Sequence, residues 1–231
     1  EIMWSTQCLK KDKIYQNFPN EKSIDNVIKN IISNYYKDWD CDIVLDRSSW
    51  GLHDNLEMLK KYAPNEIKFV VLYRDLEEVI ASFIHWSENN KPNFLDDDTD
   101  GTYESKAAHM IRKDSEIWRD YWSIKGAKDS GFPCFFIEYK DLVTHTPDII
   151  SSLYEFLEID SYDHDYEKLN LFNIDGLKYN DSIIGSNLHT IRTDGIQFNK
   201  YNLDKYLSKD ILNFCRTLNF WKDGSLRKTW C

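Results

Sequence analysis

The chain of 231 residues has no excess of positive charge, no long apolar run, no paired-cysteine motif and few glycines. Each shortage removes a class of function. The formal charge is -10, whereas a general nucleic-acid binder needs a basic face that displaces counterions, so that class is excluded. A small anionic ligand is not excluded, because a pocket needs only a few placed Arg, Lys and backbone N–H groups. No apolar run reaches the length of a membrane span and no signal peptide is visible. The cysteines, Cys8, Cys41, Cys134, Cys215 and Cys231, include no C-x-x-C pair of a zinc or redox site. Cys41 and Cys134 lie in strand-like runs, where a free thiol behaves as a small hydrophobe. A reducing compartment is expected, the cytoplasm, with a Golgi lumen as the alternative; the sequon Asn180-Asp181-Ser182 carries little weight alone. The chain also opens Glu1-Ile2-Met3-Trp4, without an initiator Met or a preceding strand, and a further strand is expected upstream.

Acidity is partly local: Asp96, Asp97, Asp98 and Asp100 sit together. They lack the alternate spacing, Gly and closing Glu of a calcium loop, so a solvated surface is expected. The histidines, His53, His85, His109, His145, His164 and His189, show no metal-ligand spacing. No metal is expected.

What is present is core material: 42% hydrophobic and 15% aromatic residues, enough for one domain over residues 1–231. Ile24, Val27, Ile28, Ile31, Ile32 and Tyr35 follow helical spacing. Residues 41–46 (CDIVLD) read as a strand, Leu52 to Leu59 as a helix ending before Pro64, and residues 67–73 (IKFVVLY) as a strand buried on both faces. Strand, helix, strand within about thirty residues is a βαβ unit. Val79, Ile80, Phe83, Ile84 and Trp86 mark the next helix. One long helix is expected over residues 104–128 and a third strand over 133–139 (PCFFIEY). Thr146-Pro147 opens another helix, residues 160–200 are irregular and polar, and a last helix covers 203–218. The class is α/β, a mostly parallel central sheet flanked by helices.

Ligands of such sheets bind beyond the carboxyl ends of the strands. Arg74 follows the strand 67–73 directly, and Asp75 with Glu78 has the spacing of a capping box. Arg74 thus stands at a helix N-terminus, where the dipole and free N–H groups favour an anion. Ser82 lies two turns on. An ordinary surface pair of Arg74 with Asp75 or another carboxylate is the level alternative.

Residues 69–86 (FVVLYRDLEEVIASFIHW) resemble the 3′-phosphate-binding motif of sulfotransferases that use 3′-phosphoadenosine 5′-phosphosulfate (PAPS): a strand, then Arg, then Ser eight residues later. Residues 135–159 (FFIEYKDLVTHTPDIISSLYEFLEI) resemble the family's later strand, turn and helix. Residues 44–69 are similar to the segment leading into the Arg strand, and residues 186–200 (SNLHTIRTDGIQFNK) to the C-terminal loop over the nucleotide. Four pieces in the family's order, from about residue 42 to 220, carry the resemblance. It implies a P-loop-NTPase-like fold, PAPS as co-substrate, transfer of a sulfuryl group to a hydroxyl or amine, and release of adenosine 3′,5′-bisphosphate. The acceptor is a small molecule, a glycan or a peptide; the oligomeric state is not read. It further implies that Arg74 and Ser82 hold the 3′ phosphate and that Tyr139 lies against the nucleotide. Arg192 reaches a phosphate, with Lys200 the weaker candidate. Arg47 stands where many members carry a Lys near the transferred sulfate.

Two departures qualify this. None of the eight glycines lies in a P-loop-like 5′-phosphosulfate loop, so the loop and its N-terminal strand are expected to be missing from this chain. The general base is also unplaced, because Ser48 and Ser49 occupy the usual His position. His53 is the nearest histidine, and Glu1 falls about where the protein-tyrosine branch has a Glu. The aromatic stretch Trp118 to Trp122 and the acidic loop 94–104 border an acceptor site, or else simply pack and solvate. A P-loop nucleotide kinase, and a degenerate non-catalytic binder of nucleotide or sulfated glycan, are the rival readings.

Overall fold

The computed structural model describes residues 8–35, 37–38, 40, 43–63, 66–168, 173–174, 177–178, 195–224 and 226. Glu1, Arg192, Cys41 and the sequon lie outside the described residues. In chain order the elements are α1 (Lys13–Asn17), α2 (Glu21–Tyr35), α3 (His53–Tyr62), β1 (Phe69–Tyr73), α4 (Leu76–Asn89), α5 (Phe94–Asp97), α6 (Tyr103–Met110) and α7 (Glu116–Asp129). They continue with β2 (Cys134–Glu138), α8 (Tyr139–Thr144), α9 (Thr146–Leu157), the short pair β3 (Asn173–Ile174) and β4 (Leu177–Lys178), α10 (Leu203–Tyr206), α11 (Lys209–Leu218) and a 3-10 turn over Phe220–Asp223. The chain divides into two units, Glu1–Phe69 with Arg119–Cys134, and Val70–Trp118 with Phe135–Cys231.

The α/β class holds: β1 and β2 pair in parallel, although among the described residues their sheet has only two strands. Of the strand expected at 41–46, the described residues 43–46 do not join it. Residues 43–46 carry no ladder, and Ile43, Val44 and Leu45 are exposed, so β-branched composition alone did not make a strand there. Burial on both faces of β1 is also corrected. Phe69, Val71 and Tyr73 are buried while Val70 and Leu72 are 36% and 51% exposed, the alternation of a strand covered on one side. It is β2 that is buried on both faces. Phe135 and Ile137 pack there with Ile149 of α9, against Leu142, Leu153 and Phe156.

In the first unit the loop before α3 meets α7 backbone to backbone. A Cβ on Gly51 would lie 1.9 Å from the Ser123 carbonyl oxygen, and one on Gly126 would lie 1.9 Å from that of Gly51. Only glycine allows this approach. The loop is then pinned by Ser49 Oγ donating to Asp120 (2.8 Å) and Gly51 N–H donating to Ser123 Oγ (3.0 Å). Lys61 and Tyr62 of α3 both bond Asp25 of α2, at 2.7 and 2.6 Å.

In the second unit α4 buries Leu76, Ile80, Ala81 and Ile84. The single helix expected over 104–128 is two, α6 and α7, because Ser115 takes the Trp118 N–H (3.1 Å) and starts a new helix. The last helix is likewise split at Ser208, which caps α11. The acidic loop is engaged locally. Asp96 pairs with the buried Lys106 at 2.5 Å. Asp100 accepts from Ser105 and Thr102, and these bonds hold its carboxyl down to about 2. No helix among the described residues is long and apolar enough to cross a membrane.

Candidate functional site

β1 ends at Tyr73, and Arg74 and Asp75 lead into α4. The helix start is not capped by the Asp75–Glu78 box. Asp75 makes no side-chain cap; its carboxylate accepts from Trp221 Nε1 (3.0 Å) and Lys222 (2.6 Å). Glu78 instead turns toward Arg74, accepting from its Nε at 2.9 Å. The cap comes from Asn219, 143 residues away, whose Oδ1 accepts the Leu76 N–H at 3.1 Å. Asn219 Nδ2 donates to the buried Glu77 at 2.7 Å. With Asn219 on the Leu76 N–H and three carboxylates in the sequence around it, the helix terminus itself offers an anion little, and the positive charge at this point is that of the Arg74 side chain.

Arg74 is oriented from several sides. Its side chain is 15% exposed, and its guanidinium carbon sits 4.4 Å from the Tyr139 ring centre and 5.7 Å from that of Tyr201. Contacts of this kind contribute about 0.5–2 kcal/mol. Its Nη2 donates to the Asn199 carbonyl at 3.4 Å, a long bond that a better acceptor can replace. Tyr139 stands where the sheet leads to it, as the first residue of α8 directly after β2, and its ring meets Phe198 at 6.2 Å.

Ser82 lies on the same helix, half-buried, with its Oγ donating to the Tyr201 hydroxyl at 3.3 Å. One turn further, the His85 ring packs at a tilt against Tyr201 (5.2 Å between ring centres, 49° between planes) and its Nδ1 lies 2.9 Å from the Tyr206 hydroxyl. Beside it opens a cleft of about 300 Å³ lined by His85, Asn199, Lys200, Tyr201, Asn202, Lys205 and Tyr206. Lys200 is exposed and makes no ion pair among the described residues. Lys205 is different. Its ammonium bonds the Tyr206 hydroxyl (2.9 Å) and both oxygens of Glu88 (2.9 and 3.0 Å), and these partners hold it above its usual range. Glu88, which also accepts from Tyr103 and Tyr206, is pulled down to about 2, chiefly by the Tyr103 hydroxyl and then by Lys205.

The structure thus places Arg74 against both Tyr139 and Tyr201, and Ser82 against Tyr201, with Lys200 lining the cleft next to Tyr201. Arg47 and His53 belong to the first unit. Arg47 is exposed and unpaired among the described residues; His53 is exposed at the first position of α3. Tyr201, Asn199 and Asn219 were not read from the sequence. The one signal for Tyr201 was its place directly after Lys200, an aromatic residue closing a polar stretch.

A family model described as the sulfotransferase family matches residues 18–164, more than half of the chain. The match covers Arg47, His53, Arg74, Ser82 and Tyr139, and ends before Lys200 and Tyr201. No curated protein and no solved structure gives a significant match.

Proposed function

The chain belongs to the sulfotransferase family, and from that premise we propose that its sulfuryl donor is PAPS, held at the 3′ phosphate by Arg74 and Ser82. What supports this reading is that the two polar groups of the strand–Arg–Ser motif, eight residues apart, meet one side chain: Arg74 faces the Tyr201 ring and Ser82 bonds its hydroxyl. A tetrahedral dianion at that point reaches both, with the guanidinium fork offering N–H groups that Glu78 and Asn199 leave unused. Tyr139 contributes an aromatic face beside the guanidinium, and Lys200 supplies further positive charge.

In the transfer, an acceptor oxygen or nitrogen attacks sulfur in line. The bond from sulfur to the 5′-phosphate oxygen breaks, its electron pair stays on that oxygen, and adenosine 3′,5′-bisphosphate leaves. The acceptor proton passes to a base, for which we assign His53, with Glu1 as second candidate. Arg47 is assigned to the charge that grows on the bridging oxygen, and Arg192 to a phosphate. The acceptor is a small molecule, glycan or peptide bearing a hydroxyl or amine.

Calorimetric titration of adenosine 3′,5′-bisphosphate against 5′-AMP tests the donor site. The bisphosphate is expected to bind at least about tenfold tighter, and Arg74→Ala to remove most of that preference, since hydrogen bonds to charged groups are worth about 1.5–3 kcal/mol. Equal binding of both nucleotides would mean that Arg74 is a structural ion pair and PAPS is not the donor.

A further inference from the structure

We propose that Tyr201 is a third ligand of the donor's 3′ phosphate and sets the preference for a 3′-phosphorylated nucleotide; this rests on the donor reading above. Tyr201 lies beyond the residues matched by the family model, so nothing in the family match assigns it a role. Among the described residues it is nevertheless the one side chain that both motif groups contact. Ser82 Oγ donates to its hydroxyl at 3.3 Å, and the Arg74 guanidinium carbon is 5.7 Å from its ring centre. Any anion that bonds Arg74 and Ser82 together therefore meets the Tyr201 hydroxyl as well.

The hydrogen-bond inventory favours a ligand role. A phenol has one proton to give and lone pairs to receive. Two hydroxyls 3.3 Å apart use a single proton between them, so one O–H of the Ser82–Tyr201 pair is left without an acceptor among the described residues. A phosphate oxygen supplies that acceptor. The ring is also held in place before any ligand arrives, between Arg74 and the His85 ring at 5.2 Å, so little freedom is lost on binding. The nearest competing contact on Arg74, the 3.4 Å bond to the Asn199 carbonyl, is weak enough for a charge-assisted bond to displace. Lys200, the residue before Tyr201, adds charge to the adjoining cleft.

A hydroxyl that bonds only the 3′ phosphate distinguishes nucleotides that carry it from those that do not. The test is titration of adenosine 3′,5′-bisphosphate and of 5′-AMP into the wild-type chain, Tyr201→Phe, Ser82→Ala, their double variant and Arg74→Ala. Tyr201→Phe is expected to weaken the bisphosphate about tenfold and to leave AMP within about twofold. The double variant is expected to lose less than the two single losses combined, because both hydroxyls act on one group. Equal losses for both nucleotides, no loss, or tighter binding of the bisphosphate (the result for a plug rather than a ligand) would overturn the proposal. If Arg74→Ala abolishes the preference and Tyr201→Phe does not, the donor reading stands and only Tyr201 falls. If Arg74→Ala leaves the preference intact, or the wild-type chain has none, the donor reading fails and Tyr201 with it.

Discussion

Asn219 holds the start of the helix that carries the site. Its side chain satisfies the Leu76 N–H at 3.1 Å and donates to Glu77 at 2.7 Å, and both side chains are buried, at 4% and 3% exposure. The other contacts of the Glu77 carboxyl, Arg216 at 3.7 Å and Lys222 at 3.6 Å, are longer. Asn219→Ala therefore leaves an uncapped N–H and a buried carboxyl without its short partner. Losses of this kind cost about 2–4 kcal/mol together. For a chain of this size that lowers Tm by about 5–15 °C, readable by circular dichroism; a change within about 2 °C would contradict this role. The contrast with Arg74 is instructive for reading sequences. Arg74 and Ser82 were legible because strand, Arg and Ser lie within one local stretch. Asn219 and Tyr201 act across 143 and 119 residues, and no local pattern specifies such partners. The Asp75–Glu78 spacing fits a capping box, but Trp221, Lys222 and Arg74 are stronger partners for those carboxylates than the helix's own N–H groups.

At the scale of elements, α4 is tied to α6 and α10 through Glu88. Tyr103 of α6 and Lys205 with Tyr206 of α10 converge on its carboxylate, which brings the residues lining the cleft against the site helix. The pH dependence has a definite sign. The folded chain holds Glu88 at about 2, below its ordinary 4.5, so its contribution is fully present above about pH 4.5 and is lost as pH falls from there toward 2. Glu88→Gln is accordingly expected to be less stable than wild type at pH 7, with the gap closing between pH 4.5 and 2 in denaturant titrations. A gap independent of pH would assign the loss to packing rather than charge. Elements with strong apolar patterns, such as α4, β1 and β2, were readable within a few residues. The breaks between α6 and α7 and between α10 and α11 were not, although Ser115 and Ser208 are ordinary cap residues; continuous helical spacing on both sides masked them. Residues 43–46 had strand composition but no neighbour to pair with among the described residues, and a strand exists only by pairing.

For the whole molecule, the α/β class and the family were legible before any coordinates, because four family-like segments occur in order. The two-strand sheet and the division into two units were not, since both depend on which distant segments meet. The net charge of -10 is compatible with an anionic donor because the charges at the site are arranged locally. Asp75, Glu77 and Glu88 are each bonded to partners, while the Arg74 fork and Lys200 retain unused N–H groups. The measurement that goes most directly to the account is transfer of label from sulfur-labelled PAPS to a panel of phenols, amines, glycans and tyrosyl peptides. At least one acceptor class is expected to take up label with matching release of adenosine 3′,5′-bisphosphate, and Arg74→Ala to raise KM for PAPS about tenfold or more. Binding of the bisphosphate with no transfer to any acceptor class would contradict the account and leave a nucleotide binder without turnover.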